Sequence, residues 1–249
     1  MPTAAVKERV LVFFFAAFYT GRMTGNGKLF LVATPIGNLE DITLRALRVL
    51  READVVAAED TRRTATLLGH YDIRKPLLSY HEFNEARRAS ELLQHLRNGQ
   101  HIALVSDAGM PTLSDPGLRL LRAALDEHIS IEVIPGPSAL TAALAAAGLP
   151  VEPFLFHGFL PHKSTQRRRL LADLAPLPCT LAFFESPHRI HKTLADIEEL
   201  LGDRRVVLAR ELTKKFEQIL RDHVSGLRKS LENRTVKGEI TLLIEGKTK

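Results

Sequence analysis

The sequence predicts an α/β fold in two parts, with a mostly parallel sheet in the first and a mixed sheet in the second. Three features carry that prediction. From Lys28 onward, short β-rich runs alternate with stretches of helical periodicity, the pattern of strands joined by crossover helices. Beyond residue 153 strand follows strand more directly, which favours mixed pairing. Between the two regions, Gly148-Leu149-Pro150-Val151-Glu152-Pro153 places three helix breakers in six residues where the charge balance changes sign, so the domains divide as 28–149 and 150–249.

Residues 1–27 read as a leader. Their apolar run, residues 10–19 behind Lys7 and Arg9, is too short to span a bilayer. The following Thr20-Gly21-Arg22-Met23 is a poor signal-peptide cleavage site. Met23-Thr24-Gly25-Asn26-Gly27 is a short polar lead into the first strand, so translation is expected to begin at Met23 and residues 1–22 to be non-native.

The first strand, residues 29–33, runs into the loop Thr34-Pro35-Ile36-Gly37-Asn38, and a helix over 43–53 carries Leu44, Leu47 and Leu50 on one face. A second strand at 54–58 ends in Glu59-Asp60-Thr61-Arg62-Arg63-Thr64, which opens a helix ending near Gly69. A short strand at 76–80 leads through His81 to a helix that Asn98-Gly99 stops after Arg97. Then come a strand at 102–105, a loop over 106–117, a helix to Glu127, a strand at 131–134, the loop Pro135-Gly136-Pro137-Ser138 and an alanine-rich helix to Ala147. In the second part strands are expected at 154–159, 180–185, 206–212 and 240–244, with a weaker one at 216–220. Helices are expected after Pro161, after Ser186 and over 224–231.

The loop over 106–117 organises the chain. Gly109 permits positive φ, Pro111 and Pro116 stiffen the path, and Asp115 is expected to cap the next helix with Pro116 at its first position. In an open α/β sheet ligands bind outside the carboxyl ends of strands, so carboxylates and free N–H groups here suit a small-molecule site. A tight structural connection would use the same residue types.

Charge is uneven. Residues 28–147 carry 13 basic and 15 acidic side chains, whereas residues 148–249 carry 18 basic and 13 acidic. A polyanion would therefore dock mainly through the second half, although a solvated basic surface has the same composition. The single cysteine, Cys179, excludes an intramolecular disulfide and fits the cytoplasm. No G-x-G-x-x-G, Walker A or G-x-S-x-G motif is present, and His188 and His191 lack a companion metal motif, so no metal is expected.

Several stretches, in this order, resemble the ribosomal RNA small-subunit methyltransferase I family of the tetrapyrrole methylase superfamily: residues 32–41, Ala58-Glu59-Asp60-Thr61-Arg62, residues 106–117, Ile134-Pro135-Gly136-Pro137-Ser138-Ala139, Gly158-Phe159-Leu160-Pro161, Glu185-Ser186-Pro187-His188-Arg189, residues 209–214 and Lys237-Gly238-Glu239. The resemblance implies a two-domain, tetrapyrrole-methylase-like fold, a homodimer, S-adenosylmethionine bound between domains, and methylation of a cytidine 2′-hydroxyl in small-subunit (16S) rRNA. It places the cofactor against Pro35, Ile36 and Gly37, against Asp107, Gly109, Met110 and Pro111, against Ser138 and Ala139, and against Phe184, Leu212, Glu239 and Ile240. Many relatives continue into a helical extension beyond the last strand; this sequence stops at Lys249, as a short-form or truncated member would.

The residue types suit that chemistry. A sulfonium donor needs an aligned nucleophile and a proton acceptor. Glu59 or Asp60 is expected to accept the proton, with His81 second in line and Arg62 and Arg189 on phosphates; alternatively Glu59, Asp60 and Arg62 form a salt-bridge cluster at a helix start. Lys163, Arg167, Arg168, Arg169 and His188 are the expected RNA-facing cations. Two other functions stay open: a tetrapyrrole C-methyltransferase, which would carry G-x-G-P-G-D where this sequence has Thr34-Pro35-Ile36-Gly37-Asn38, and a non-catalytic RNA-binding or assembly protein.

Overall fold

A computed structural model describes residues 27–247, and the expected leader and Met23 start lie outside the described residues. The first sheet is wholly parallel, with strands β1 (Lys28–Val32), β2 (Val55–Ala58), β3 (Leu77–Ser79), β4 (Ile102–Val105) and β5 (Ser130–Ile134) in the spatial order β3-β2-β4-β1-β5. Helices α1 (Leu44–Glu52) and α2 (Thr61–His70) cover one face, and α3 (Glu85–Arg97) and α4 (Leu118–Asp126) cover the other. Buried on both sides, β2 and β4 are apolar without alternation.

β1 and β4 are neighbours whose following helices go to opposite faces, which makes their carboxyl ends the topological switch point of the sheet. The loops that leave them are tied together there. Thr34 N–H donates to Gly109 O at 2.9 Å and Gly109 N–H returns a bond to Thr34 O at 3.0 Å.

The second sheet is mixed: β6 (Phe154–Phe159), β7 (Thr180–Glu185), β8 (Arg205–Arg210), β9 (Gln218–His223) and β10 (Ile240–Ile244) lie in the order β6-β7-β10-β8-β9, with only β6 and β7 parallel. One face carries α6 (Ser164–Leu174), α7 (Ile190–Leu201) and α8 (Val224–Leu231). The other face receives α5 (Ala139–Ala147), whose Leu140, Ala143, Leu144 and Ala147 pack on Ala182, Val207, Ala209 and Leu243. Alanine at these positions lets the helix lie close to the strands, and so joins the two sheets.

Five expectations change. Leu47 and Leu50 are buried as predicted, but Leu44, in the first turn of α1, is 86% exposed. The weak strand expected at 216–220 is displaced to Gln218–His223, where its exposed residues pair with β8 at the sheet edge. The helix expected after Ser186 starts at Ile190, so His188 lies in the preceding turn.

Asp115 does not cap α4. Gly117 occupies that position with φ 138°, and a Cβ there would lie 2.8 Å from both Leu104 Cδ2 and Thr112 Cγ2. The helix start is satisfied from outside instead: Leu120 N–H donates to the buried Tyr80 hydroxyl, and Gly117 N–H to Glu85 Oε1. Asp115 is thereby released for the cleft described below.

The basic run at the start of α6 also resolves into different environments. Arg167 is 4% exposed, its guanidinium 2.7 Å from Asp196 Oδ2, and Arg168 bridges Asp196 and Glu199. Only Arg169 of the three is exposed, which corrects the expectation that Arg167 and Arg168 face RNA. Arg167→Ala leaves Asp196 with one partner in the core and is expected to lower stability by about 3 kcal/mol in urea denaturation, whereas Arg169→Ala leaves the midpoint unchanged.

Candidate active site

A cleft of about 340 Å³ opens between the carboxyl ends of β1, β2 and β4 and the edge of the second sheet where β7 ends and β10 begins. Its size suits a small molecule. Ile36 comes from the β1 loop, Glu59 from the end of β2, Asp107, Gly109 and Met110 from the β4 loop, and Ser138 and Ala139 from the start of α5. Phe184, Leu212, Glu239 and Ile240 complete it from the second sheet. The structure thus brings most of the expected cofactor residues to one cavity, together with Glu59.

Pro35, Gly37 and Pro111 support the lining from behind or beside it. Gly37 lies against Leu212, Thr213 and Lys214, and the neighbouring Asn38 N–H donates to Thr213 Oγ1 at 3.1 Å, so the β1 loop is docked on the second half. Pro35 and Pro111 are buried.

The acidic side chains are interlocked. Asp107 Oδ1 accepts from Asp60 N–H at 3.0 Å, Asp107 N–H donates to Glu59 Oε2 at 3.4 Å, and the Arg63 guanidinium lies 3.3 Å from Asp107 Oδ2. Burial raises the Glu59 carboxyl above its ordinary range, against the pull of the Asp107 N–H, and the Asp107 charge raises it further. Asp115 also lines the cleft. Burial and then the Glu59 charge push it up to about 7, with the Ser106 hydroxyl pulling partly back and the charges of Asp107 and Glu239 pushing the same way as Glu59. A cavity floored by carboxylates that resist ionising together is suited to a cation.

The other expected catalytic side chains lie outside the lining, which corrects three assignments. Asp60 caps α2, accepting from Arg62 N–H at 2.9 Å and from the Arg62 guanidinium, whose hydrogen bonds hold its carboxyl far below the usual range and make it a poor base. Arg62 is spent on that exposed capping pair. His81 Nε2 faces Asn84 Nδ2 at 3.1 Å, and its Nδ1 is buried without a partner. Arg189, expected on a phosphate, is instead ion-paired with the buried Glu185 and donates to Leu160 O.

Sequence reasoning missed Leu113, Phe159 and Arg63 as cleft residues, and it counted Asp115 among the loop's site carboxylates but gave it the specific role of a helix cap. In the structure Thr112 at φ 73° and Ser114 at φ 68° are left-handed without glycine beside Asp115, and such strain gathers at functional loops. Among the described residues no cluster of His, Cys, Asp and Glu is arranged to hold a metal ion, and no helix is long and apolar enough to cross a membrane.

Parallel-sheet switch point, acid-floored cleft and mixed second sheet define an α/β methylase of the Tetrapyrrole (Corrin/Porphyrin) Methylases, whose family pattern matches residues 28–227. Solved structures of diphthine synthase (TM-score 0.69, 16% identity, 89% of this chain and 91% of that one) and cobalt precorrin-4 methyltransferase (0.66, 22%, 88% and 94%) share the fold. Two curated relatives are far more similar in sequence. The Ribosomal RNA small subunit methyltransferase I of Thermotoga maritima is 51% identical over 221 residues, 89% of this chain and 99% of the relative; that of Pasteurella multocida is 52% identical over 227 residues, covering 90% and 80%. The chain belongs to the ribosomal RNA small subunit methyltransferase I family. It is a family of S-adenosylmethionine-dependent methylases.

Proposed function

We propose that the protein transfers the methyl group of S-adenosylmethionine to the 2′-hydroxyl of a cytidine in small-subunit (16S) ribosomal RNA. The observation that carries the reading is the carboxylate floor of Glu59, Asp107 and Asp115 at the switch point, facing the apolar Met110, Phe184 and Leu212. The carboxylates suit a cation and the apolar side chains its uncharged parts. When bound, S-adenosylmethionine supplies an electrophilic methyl on a positively charged sulfur.

The chain's own work is then to bind, align and deprotonate. Asp107 and Glu239 hold polar cofactor groups from opposite walls, and Ile36, Met110 and Leu212 exclude water. Asp115 accepts the hydroxyl proton as the oxygen attacks, a task for which a carboxyl titrating near neutral pH is suited, and Glu59 stands beside it as the carboxylate whose charge, after burial, raises it. Asp60 is set aside as a base because its carboxylate is held by Arg62, and His81 because its ring lies outside the cleft lining, with Nε2 on Asn84. Lys163 and Arg169 remain as exposed cations for phosphates, with His188 as a further exposed polar contact.

The reading extends to two domains, 28–149 and 150–249, and to a cytoplasmic homodimer. Support for the dimer is the edge strand β5, where Val133 is 50% exposed while Arg45 Nη2 donates to Val133 O, placing the first turn of α1 and its exposed Leu44 alongside. Labelled methyl transfer to unmodified small subunits, naked rRNA and a tetrapyrrole precursor, followed by nucleoside analysis, tests the activity. Label in 2′-O-methylcytidine is expected; label only in the porphyrinoid overturns it.

A further inference from the structure

The strands of the second sheet bring one set of connections to the mouth of the cleft. β6 and β7 end there at Phe159 and Glu185, and β10 begins there, with Ile240 opposite both Glu185 and Arg210. Each connection on the helix-covered side carries cations. Lys163 precedes α6, Lys192 lies in the first turn of α7, and Arg234 and Lys237 precede β10; all four are exposed, as are His162 and His188. His191 Nε2 lies 3.1 Å from Arg234 O, which joins the start of α7 to the β10 connection.

These cations differ from those along the helix bodies. Arg167, Arg168 and Arg228 each sit on a carboxylate of α7, whereas Lys163, Lys192, Arg234 and Lys237 take no part in an ion pair among the described residues. The acids at this rim are Glu232, which is exposed, and Glu239 and Glu211, which are held by Lys214 at 3.0 and 2.9 Å, with Glu211 also accepting the Glu239 N–H. Two helices, α6 and α7, begin at the rim, so their N-termini add to the positive field. The cleft therefore has an acidic floor and a basic lip.

Phe159 stands on that lip. It is 54% exposed, its ring backed by Phe184 with centroids 5.6 Å apart. A break in the β6–β7 register between Phe156 and Gly158 re-aims it, and glycine suits position 158 because its φ of 81° strains any other residue; a Cβ there would also lie 2.9 Å from Ser114 Oγ. An exposed aromatic face beside unpaired cations matches a single strand of nucleic acid, whose phosphates need charge and whose unstacked bases need a platform.

We infer that this lip is the docking surface for a single-stranded stretch of RNA, with Lys163, Lys192 and Lys237 on its phosphates and Phe159 under an unstacked base. The inference rests on the reading of rRNA as substrate. Binding of a small-subunit rRNA fragment, followed by filter retention across a salt series, tests it apart from catalysis. The triple variant Lys163→Ala, Lys192→Ala, Lys237→Ala is expected to lose on the order of tenfold in affinity, and its slope of log affinity on log salt to fall by about two. Phe159→Leu is expected to weaken binding several-fold, on the order of one stacked base, and Phe159→Trp to restore it. Affinity for S-adenosylmethionine, measured by calorimetry, stays unchanged in the triple variant. Unchanged RNA affinity and slope would overturn the surface. So would an equal loss in Arg51→Ala, Arg74→Ala, Arg122→Ala, which removes exposed cations of the first half. A wild-type protein that binds the fragment through this lip but methylates no rRNA overturns the functional reading and leaves the surface standing.

Discussion

Asp107→Ala is expected to weaken S-adenosylmethionine binding by on the order of 100-fold in calorimetry, the loss of a charge-assisted hydrogen bond together with a charge facing a cation. Asp107 is the second residue beyond β4, where the β1 and β4 loops are tied by the Thr34–Gly109 bonds, so its carboxylate is aimed by the sheet itself. It also accepts Asp60 N–H at 3.0 Å, and alanine would leave that donor unmet. Asp107→Asn separates the two roles. The amide oxygen keeps the Asp60 contact and hence the melting temperature, while the lost charge weakens binding of the cationic cofactor more than that of the neutral product S-adenosylhomocysteine. Unchanged cofactor affinity in the alanine variant would remove Asp107 from the site.

The walls of the cleft were legible in the sequence because their residues sit in contiguous glycine- and proline-containing loops at strand ends, and a parallel sheet sends those ends to one side. Side-chain pairing was not. Arg167-Arg168-Arg169 reads as one basic run, and nothing local says that its first member turns into the core to meet Asp196, 29 positions away. Asp115 followed a sound local rule for helix caps, but tertiary constraints won: the tight fit of Gly117 against Leu104 and Thr112 moved the helix start, and Tyr80 and Glu85 took over the capping. Leu44 belongs to the apolar stripe by spacing yet lies exposed, in the first turn of α1. Phe159 joined the cleft only because β6 packs against the Ser114 turn, a contact between halves that no periodicity encodes.

Asp115→Asn is expected to lower kcat by about 10²- to 10³-fold, the range for removing a general base, with KM for small subunits little changed. The pH profile distinguishes this from a structural effect. A base with a carboxyl near 7 in the free protein must be ionised to work, so wild-type kcat/KM rises with pH up to about 7 and then levels. The asparagine variant is expected to lose that acid limb. Persistence of the limb in Asp115→Asn, with its loss in Glu59→Gln, would move the base to Glu59, the group whose charge opposes ionisation of Asp115 after burial does. Linkage supplies a second readout. The folded carboxyl holds its proton between about pH 4 and about 7 while the unfolded one, at about 3.9, has lost it, so Asp115 makes the ligand-free protein less stable as pH rises through that window. The variant, with no proton to lose, lacks that decline. A bound cation favours the ionised carboxylate, so wild-type affinity for S-adenosylmethionine is expected to increase from pH 6 to 8 while that for the neutral product does not. Parallel pH dependence of the two ligands would place Asp115 away from the bound positive charge and leave Glu59 as the carboxylate nearest it.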